Sequence, residues 1–522
     1  MYEVNKNRLI FVLSVFFLII NFGSFFQAQF IYDPMHWGLV AQSALDLIKD
    51  NLLPYKDFFI HYGFLSTITQ SFVLIMFEKN IIYLLYASSL FFTLGNFMVC
   101  IVAKRYLNFS NIILICLFIF LLHPFANHPW YNYQFYFFLV LTLFFLSHRS
   151  NFGLFLFGFF LSLASLVYEN FLYLGVIILF SHIFLNKFYE NRKILFCVFG
   201  FILPLIFFHI YLLFFSLHEY WFKTFSLNSV FFEIYDTNFF YLFINYFKIL
   251  FSKNFITQTY FYIFLLIFIF NLSIIISFFI KKMKKKIFSN KENDIFLISI
   301  ICILLFFTTI HNPTIFRFST GPIIGIISIF YILEKLKFKY LKIVSYLILL
   351  QLFCNIAIPV KTENNKVFPR FSDIKENKIN QNIDFFYSQK WSPRTWSTIN
   401  FFNQKVRLIK KECKEITEFV NHTNDAFIYM IANKYLDSKQ YLYWIKNERY
   451  HETLLRHYDV DIKTLLKNKL SNKELIVFID IKDSFYFKKN YDLKSYKFIE
   501  APYSFDHKRK AILLPNSCLK KL

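Results

Sequence analysis

The stretch Phe64-Leu65-Ser66-Thr67-Ile68-Thr69-Gln70-Ser71-Phe72-Val73-Leu74-Ile75-Met76-Phe77 decides how this chain is threaded. It reads either as a helix crossing a membrane or as an amphipathic helix lying along its surface. Around it, apolar runs recur from residue 9 to residue 358 and then stop. A spanning helix needs roughly 20 mostly apolar residues. Runs approaching that pattern lie at Leu9–Phe30, Ile81–Ala103, Asn111–Leu122, Tyr133–Leu146, Phe152–Val167 and Phe171–Leu185. Others follow at Ile194–Leu217, Thr259–Ile280, Ile295–Ile310, Pro322–Leu333 and Leu341–Ile358.

Charge chooses between the two readings. If residues 64–77 do not span, five basic blocks share one side: Lys104/Arg105, His148/Arg149, Lys187 with Arg192/Lys193, Lys281 to Lys286, and Lys335 to Lys342. The positive-inside rule makes that side cytoplasmic. If the stretch spans, every block lands outside. The agreement of all five predicts 11 spans, a cytoplasmic N-terminus and an outer C-terminus. Lys6 and Arg8 precede the first run as in a signal sequence, but Leu9–Phe30 is too long for a signal h-region and reads as an uncleaved span.

The fold class expected is therefore an all-α polytopic membrane protein of about 11 transmembrane helices with a small C-terminal α/β domain outside the cytoplasm. The shift to polar composition near Pro359 divides the chain into 1–359 and 360–522. A hydrophobic content of 57% exceeds the roughly 45–50% of soluble proteins. The net charge of +23 sits largely in short blocks between apolar runs, so nucleic acid is rejected as a partner. Cys413 and Cys518 fall in the polar tail and can pair if it faces an oxidising compartment. The other cysteines read as small hydrophobes, and no metal-spaced Cys/His cluster appears. In the tail, residues 402–420 have helical amphipathic spacing, 426–432 and 474–480 are β-rich apolar runs, and 495–500 and 511–514 are weaker ones.

With this threading, the outer surface collects residues 31–63, 123–134, 218–258 and 311–321, together with Glu169 and the tail. Asp33 follows the first span; aromatic neighbours and partial desolvation raise its basicity, which suits a general base for an acceptor hydroxyl. Asp33 and His36, and Asp57 and His61, form two acid/His pairs. The bland alternative is that Asp33-Pro34 starts a helix over 35–51. Arg317 is the only charge between Asp294 and Glu334, in a loop that also carries His311, and fits either a lipid-phosphate clamp or a snorkelling interfacial arginine. Glu169 reads as a second acid, a partner for Arg317, or a turn between spans. His123, His128, Trp130, Tyr131 and Tyr133 make an aromatic outer loop, suited to stacking on sugars or to an interfacial belt. Asp459-Val460-Asp461 mimics a metal-binding motif but lacks a phosphate-binding glycine loop, and reads as a solvated helix start.

This arrangement resembles the GT-C glycosyltransferases, polytopic enzymes that use polyprenyl-phosphate sugars and include protein O-mannosyltransferases and lipid A aminoarabinose transferases. Three features carry the likeness: Asp33 just after the first span, the string Pro54-Tyr55-Lys56-Asp57-Phe58-Phe59 with His61-Tyr62-Gly63, and Arg317-Phe318 followed by Pro322. The resemblance implies that Asp33 acts as base or acceptor-positioning carboxylate and that Arg317 contacts the donor lipid phosphate; His36, Asp57, His61, Glu169 and His311 are the further candidate substrate contacts. It implies inverting transfer of one sugar to a hydroxyl of a lipid, glycan or protein at the outer face of a bacterial inner membrane. The chain departs from the family pattern at Pro34, where many members have a second acid, and at Tyr168-Glu169, where many have a Lys. No metal ligands are assigned, and a divalent cation is the one cofactor left open. The rivals are a lipid-linked glycan polymerase or ligase built on residues 218–258, a transporter, and a non-catalytic scaffold.

Overall fold

The computed structural model describes residues 6–27, 34–48, 52–58, 60, 63–123, 129–185, 191–234, 239–251, 259–284, 288–309, 315–337, 340–357, 378–379, 390–391, 393–423, 426–436, 455, 459, 461–505 and 508–521. The helices up to residue 357 are α1 Lys6–Gln27, α2 Pro34–Ile48, α3 Phe64–Met76, α4 Ile82–Ala103, α5 Phe109–Leu122, α6 Tyr131–Leu146, α7 Asn151–Val167 and α8 Leu172–Leu185. They continue as α9 Asn191–Phe214, α10 His218–Ile234, α11 Phe239–Phe251, α12 Thr259–Met283, α13 Asn290–Thr308, α14 Ile315–Ser319, α15 Ile326–Lys335 and α16 Leu341–Ala357. Short 3₁₀ turns occupy Glu169–Phe171 and Pro322–Gly325.

Among the described residues, three helices are long and apolar enough to cross a membrane: Ile82–Ala103, Arg192–Phe214 and Thr259–Met283. This is fewer than the 11 spans expected from the sequence. Helix length accounts for much of the difference. At 1.5 Å per residue, the 14-residue α5 reaches only about 21 Å against a hydrocarbon core of about 30 Å. The outward faces nevertheless carry bare Phe, Leu and Ile, such as Phe207, Leu213 and Phe279. The chain is a membrane protein whose helices expose apolar side chains.

One end of the bundle is an ionic clamp. Arg149 Nη2 lies 2.6 Å from Asp294 Oδ1, and Tyr106 donates to the other oxygen at 3.3 Å. Arg105 donates to the Phe144 carbonyl and Ser147 Oγ and stacks on the Phe144 ring. Lys335 pairs with Glu292 at 2.5 Å, and Asn111 donates to Glu334 at 2.7 Å. Asn293 donates to the carbonyl of Leu185. Local sequence sets this up: Asn108, Ser150 and Ser289 cap α5, α7 and α13 with side-chain oxygens, and Ser289 with Glu292 completes a capping box. Basic residues from four separate blocks, Arg105, Arg149, Lys281 and Lys335, thus gather at one end.

The deciding stretch forms α3, which starts and stops at the opposite end. Gly63, just before it, donates to the Val167 carbonyl at 3.0 Å, and a short turn after Met76 leads directly into α4. Gln70 reaches Ser88 early in α4, and Thr69 accepts from Gln134 in the first turn of α6. The hydroxyl and amide side of α3 faces the protein, while Phe72, Ile75 and Met76 are exposed. That is a surface helix turned inside out, as a lipid environment favours. Residues 218–258, considered above as a large loop, contain α10 and α11 instead.

The tail combines strands β1 Lys378–Ile379 and β2 Lys390–Trp391 with α17 Pro393–Glu412, β3 Glu418–His422, α18 Ala426–Asn433, α19 Ile462–Asn472, β4 Leu475–Asp480, α20 Ser484–Asn490, β5 Tyr496–Phe505, β6 Lys508–Pro515 and α21 Asn516–Leu519. The four-stranded sheet runs β3-β4-β6-β5, with β3 and β4 parallel and the rest antiparallel. Residues 474–480, 495–500 and 511–514 are strands as expected, apart from their end residues. Residues 426–432 are a helix instead, because an apolar run buried on all sides carries no period that distinguishes helix from strand. The helix expected over 402–420 ends at Glu412, since Phe419 and Val420 pair with Ile476 and Val477 in the sheet. Cys413 and Cys518 form a disulfide, and Asp461 caps α19 through the amides of Lys463 and Thr464. Inside the sheet, Lys510 and Asp480 form a buried ion pair at 3.1 Å.

Asp294 is buried whereas Glu292 is partly exposed. Removing a buried partner leaves a desolvated charge behind. Asp294→Ala is thus expected to lower the melting temperature of the detergent-solubilised protein well below that of Glu292→Ala. Equal shifts in a thermal melt would show that burial does not govern the clamp.

Candidate functional site

At the end opposite the ionic clamp, the first loop folds into a tight turn. Leu53 N–H donates to Asp57 Oδ2 at 2.7 Å, and Asp57 N–H returns a bond to the Leu53 carbonyl at 2.8 Å. Asp57 therefore serves to close its own turn. Tyr55, at the turn's apex, adopts φ 66°, a conformation uncommon for a side chain with a Cβ. The turn drives its ring inward, where it is buried against Phe64 and Phe208.

The Tyr55 hydroxyl ends on Glu169. It donates to Glu169 Oε1 at 2.5 Å, the backbone N–H of Phe64 donates to the same oxygen at 3.0 Å, and Trp221 Nε1 donates to Oε2 at 3.2 Å. One carboxylate thus joins the first loop, the start of α3, the first turn of α10 and the α7–α8 turn that carries it. Gly63 makes the approach possible: a Cβ there would sit 2.2 Å from the Leu166 carbonyl oxygen. Glu169 as a residue is partly exposed, but its carboxylate is enclosed by the three donors. Burial pushes it up to about 7 even though all three donors pull it down. Arg317 is not its partner.

Arg317 stands in the short α14, anchored by Phe318, which is fully buried against Phe264 and Phe306. Its guanidinium lies 5.3 Å above the Trp130 ring, a cation–π distance. Phe316 packs on Trp130, Trp130 on Tyr131, and Tyr131 on Tyr168, the residue before Glu169. Arg317 also acts electrostatically on Tyr168. A continuous aromatic wall therefore runs from Arg317 to Glu169. Behind it, His123 Nε2 contacts the Tyr133 hydroxyl at 3.0 Å, and burial pushes the imidazole down to about 3, so it is neutral.

The tail closes over the first loop. α18 packs on α2, where Ala41 and Ala44 allow close approach, and Asn433 donates to Asp46 at 2.9 Å. From the other side, Ser71 of α3 donates to the Ala44 carbonyl at 2.9 Å. α2 begins at Pro34, the residue after Asp33, so this packing fixes the helix that follows the proposed base.

Asp33, His61 and His311 lie outside the described residues, and His36 is placed only as a backbone position in the first turn of α2. Glu169 and Arg317 are brought to the same end of the bundle, and Asp57 is brought near Glu169 through Tyr55. Among the described residues no three His, Cys, Asp or Glu side chains group as metal ligands. The sequence reading missed Tyr55 and Trp221 as partners of Glu169. Tyr55 precedes Glu169 by 114 residues, and nothing local marks the pair.

No protein-family model matches the chain, and no curated protein matches its sequence. Among the solved structures to which it is similar are these two. One is the archaeal oligosaccharyltransferase AglB from Archaeoglobus fulgidus, in complex with an inhibitory peptide and a dolichol-phosphate. It is 10% identical at a TM-score of 0.47, over 96% of this chain and 73% of that one. The other is ArnT from Cupriavidus metallidurans bound to undecaprenyl phosphate. It is 9% identical at a TM-score of 0.44, over 98% of each chain.

The raised folded-state value of Glu169 means that its contribution to stability is fully present below its ordinary value near 4.5 and is lost as pH rises through about 7. Glu169→Gln, neutral at every pH, should therefore melt higher than the parent at pH 8, with the gap closing toward pH 5. A gap that is the same at both pH values would refute the enclosed-carboxylate description.

Proposed function

We propose that the chain is an integral membrane glycosyltransferase that moves a sugar from a polyprenyl-phosphate donor to a hydroxyl acceptor at the outer face of a bacterial inner membrane. The observation that carries this reading is the aromatic wall joining Arg317 to the Glu169 junction, at the end of the bundle remote from the basic clamp. A fixed guanidinium beside an apolar, aromatic surface matches a phosphate at the head of a long isoprenoid. Trp130, Tyr131 and Tyr168 offer planes on which a sugar can stack.

In the proposed reaction, Asp33 takes the proton of the acceptor hydroxyl and the oxygen attacks the anomeric carbon. The bond from that carbon to the phosphate oxygen breaks, and polyprenyl phosphate leaves with the electron pair, its charge held by Arg317. Glu169 is assigned to hold the first loop in place, not to exchange protons with substrate. His36, His61 and His311 are assigned to the substrate's surroundings, and Asp57 to the turn that presents Tyr55. A divalent cation beside Asp33 is to be tested by chelation.

Residues 1–359 are proposed as the catalytic bundle and 360–522 as a periplasmic cover. The Cys413–Cys518 bridge supports an oxidising compartment for the tail. The basic clamp supports a cytoplasmic location for the other end, with α3 on the outer surface. Helices at 218–234 and 239–251 leave less room for the large central loop that a polymerase or ligase reading relied on.

In membranes supplied with a polyprenyl-phosphate sugar, Asp33→Asn is expected to slow transfer by about 100-fold or more, the usual scale for losing a general base. Arg317→Ala should raise the donor KM and lower kcat, while Arg317→Lys should recover part of the binding. Full transfer by Asp33→Asn would remove the catalytic assignment.

A further inference from the structure

Between α12, α13 and α15, at the clamp end, lies a cavity of about 520 Å³ that the proposed transfer does not use. Its inner wall is aromatic: Phe278 stacks on both Phe288 and Phe296, with ring centroids 3.9 and 3.8 Å away. The helix faces beside it are exposed and apolar, with Phe270, Phe279 and Leu336 uncovered, so the cavity borders the lipid-facing surface. Ser273 and Ser277 also line it, beside the aromatic wall. Along α12 it extends from Phe270 to Lys281, roughly 16 Å at 1.5 Å per residue.

Its mouth is cationic. Lys281 and Lys335 line it together with Glu292. Glu292 is already engaged: one oxygen meets Lys335 and the other accepts from Ser289 N–H and Oγ in the helix cap. Lys282, beside the mouth, bends over the Phe184 ring. Lys335 and Glu292 offset each other, so the excess of one positive charge among the lining residues is that of Lys281, beside an aromatic slot. Basic pockets between membrane helices on the cytoplasmic side suit anionic lipid headgroups.

We propose that this cavity is a binding site for an anionic membrane phospholipid, with one acyl chain along the Phe278–Phe296 wall and the phosphate between Lys281 and Lys335. The occupant is committed by two features acting together. The aromatic wall suits an acyl chain that a purely polar anion lacks, and the excess positive charge at the mouth favours an anion over a zwitterion. The site rests on the cytoplasmic placement of the clamp end proposed above but not on the sugar-transfer chemistry, which lies at the other end of the bundle.

Native mass spectrometry of the full chain tests it, after relipidation with phosphatidylglycerol or phosphatidylcholine of equal chain length. The wild type is expected to retain phosphatidylglycerol in preference, and Lys281→Gln to lose about fivefold of that retention, the scale for one basic residue at an anionic surface. Ser277→Trp, which fills the slot, should abolish retention of either lipid without changing the melting temperature. Equal retention of the two lipids by the wild type would overturn the proposal, and needs no variant to fold. Displacement of the lipid by an equal concentration of soluble glycerol 3-phosphate would also overturn it, by reducing the site to a free-phosphate site.

Discussion

The end of this protein opposite the ionic clamp depends on one carboxylate with three donors. Glu169 receives the Tyr55 hydroxyl, the Phe64 amide and the Trp221 indole, which arrive from three separate parts of the chain. In a medium without water, each of those donors needs a partner. The carboxylate supplies it to all three, and so the first loop, α3 and α10 converge on the α7–α8 turn. Its burial is unfavourable for the ionised form, and the gain is position: the turn from Leu53 to Asp57 and the aromatic wall toward Arg317 share one frame.

The two ends of the bundle solve the same problem with different chemistry. The clamp end uses charge against charge and helix caps, with Arg149–Asp294 and Lys335–Glu292 as its ties. The other end uses aromatic stacking, one enclosed acid and one arginine above an indole. Between them the chain is nearly free of charge, which is why its sequence separates so cleanly into runs and blocks.

How much of this could be read in the sequence followed the range of the interaction. The helical bundle, the shared side of the basic blocks and the three tail strands come from local composition and period, and these were legible. Glu169 and Arg317 stood out because an isolated charge in an apolar run is visible without a partner. What the carboxylate does was not legible, because Tyr55 and Trp221 are ordinary aromatics in a chain with 78 Phe and 34 Tyr. Residues 426–432 misled for a physical reason: buried on every side, they show no alternation by which helix and strand differ. Hydropathy registers apolar runs but not where a helix stops, so among the described residues only three of the expected spans are long and apolar enough to cross a membrane by length and composition. Asp57 looked like half of an acid/His pair because its own turn, closed through backbone atoms, leaves no trace in residue types.

The contact between Asn433 and Asp46 links positions 387 residues apart. A chain made from its N-terminus inserts α2 long before α18 exists. The early helix, packed on α3, must therefore wait until the tail has folded onto it. Biogenesis thus imposes an order in which the first loop becomes fully organised last. The pairing acts as a checkpoint on assembly: a bundle can be inserted with correct sides and still lack a settled first loop.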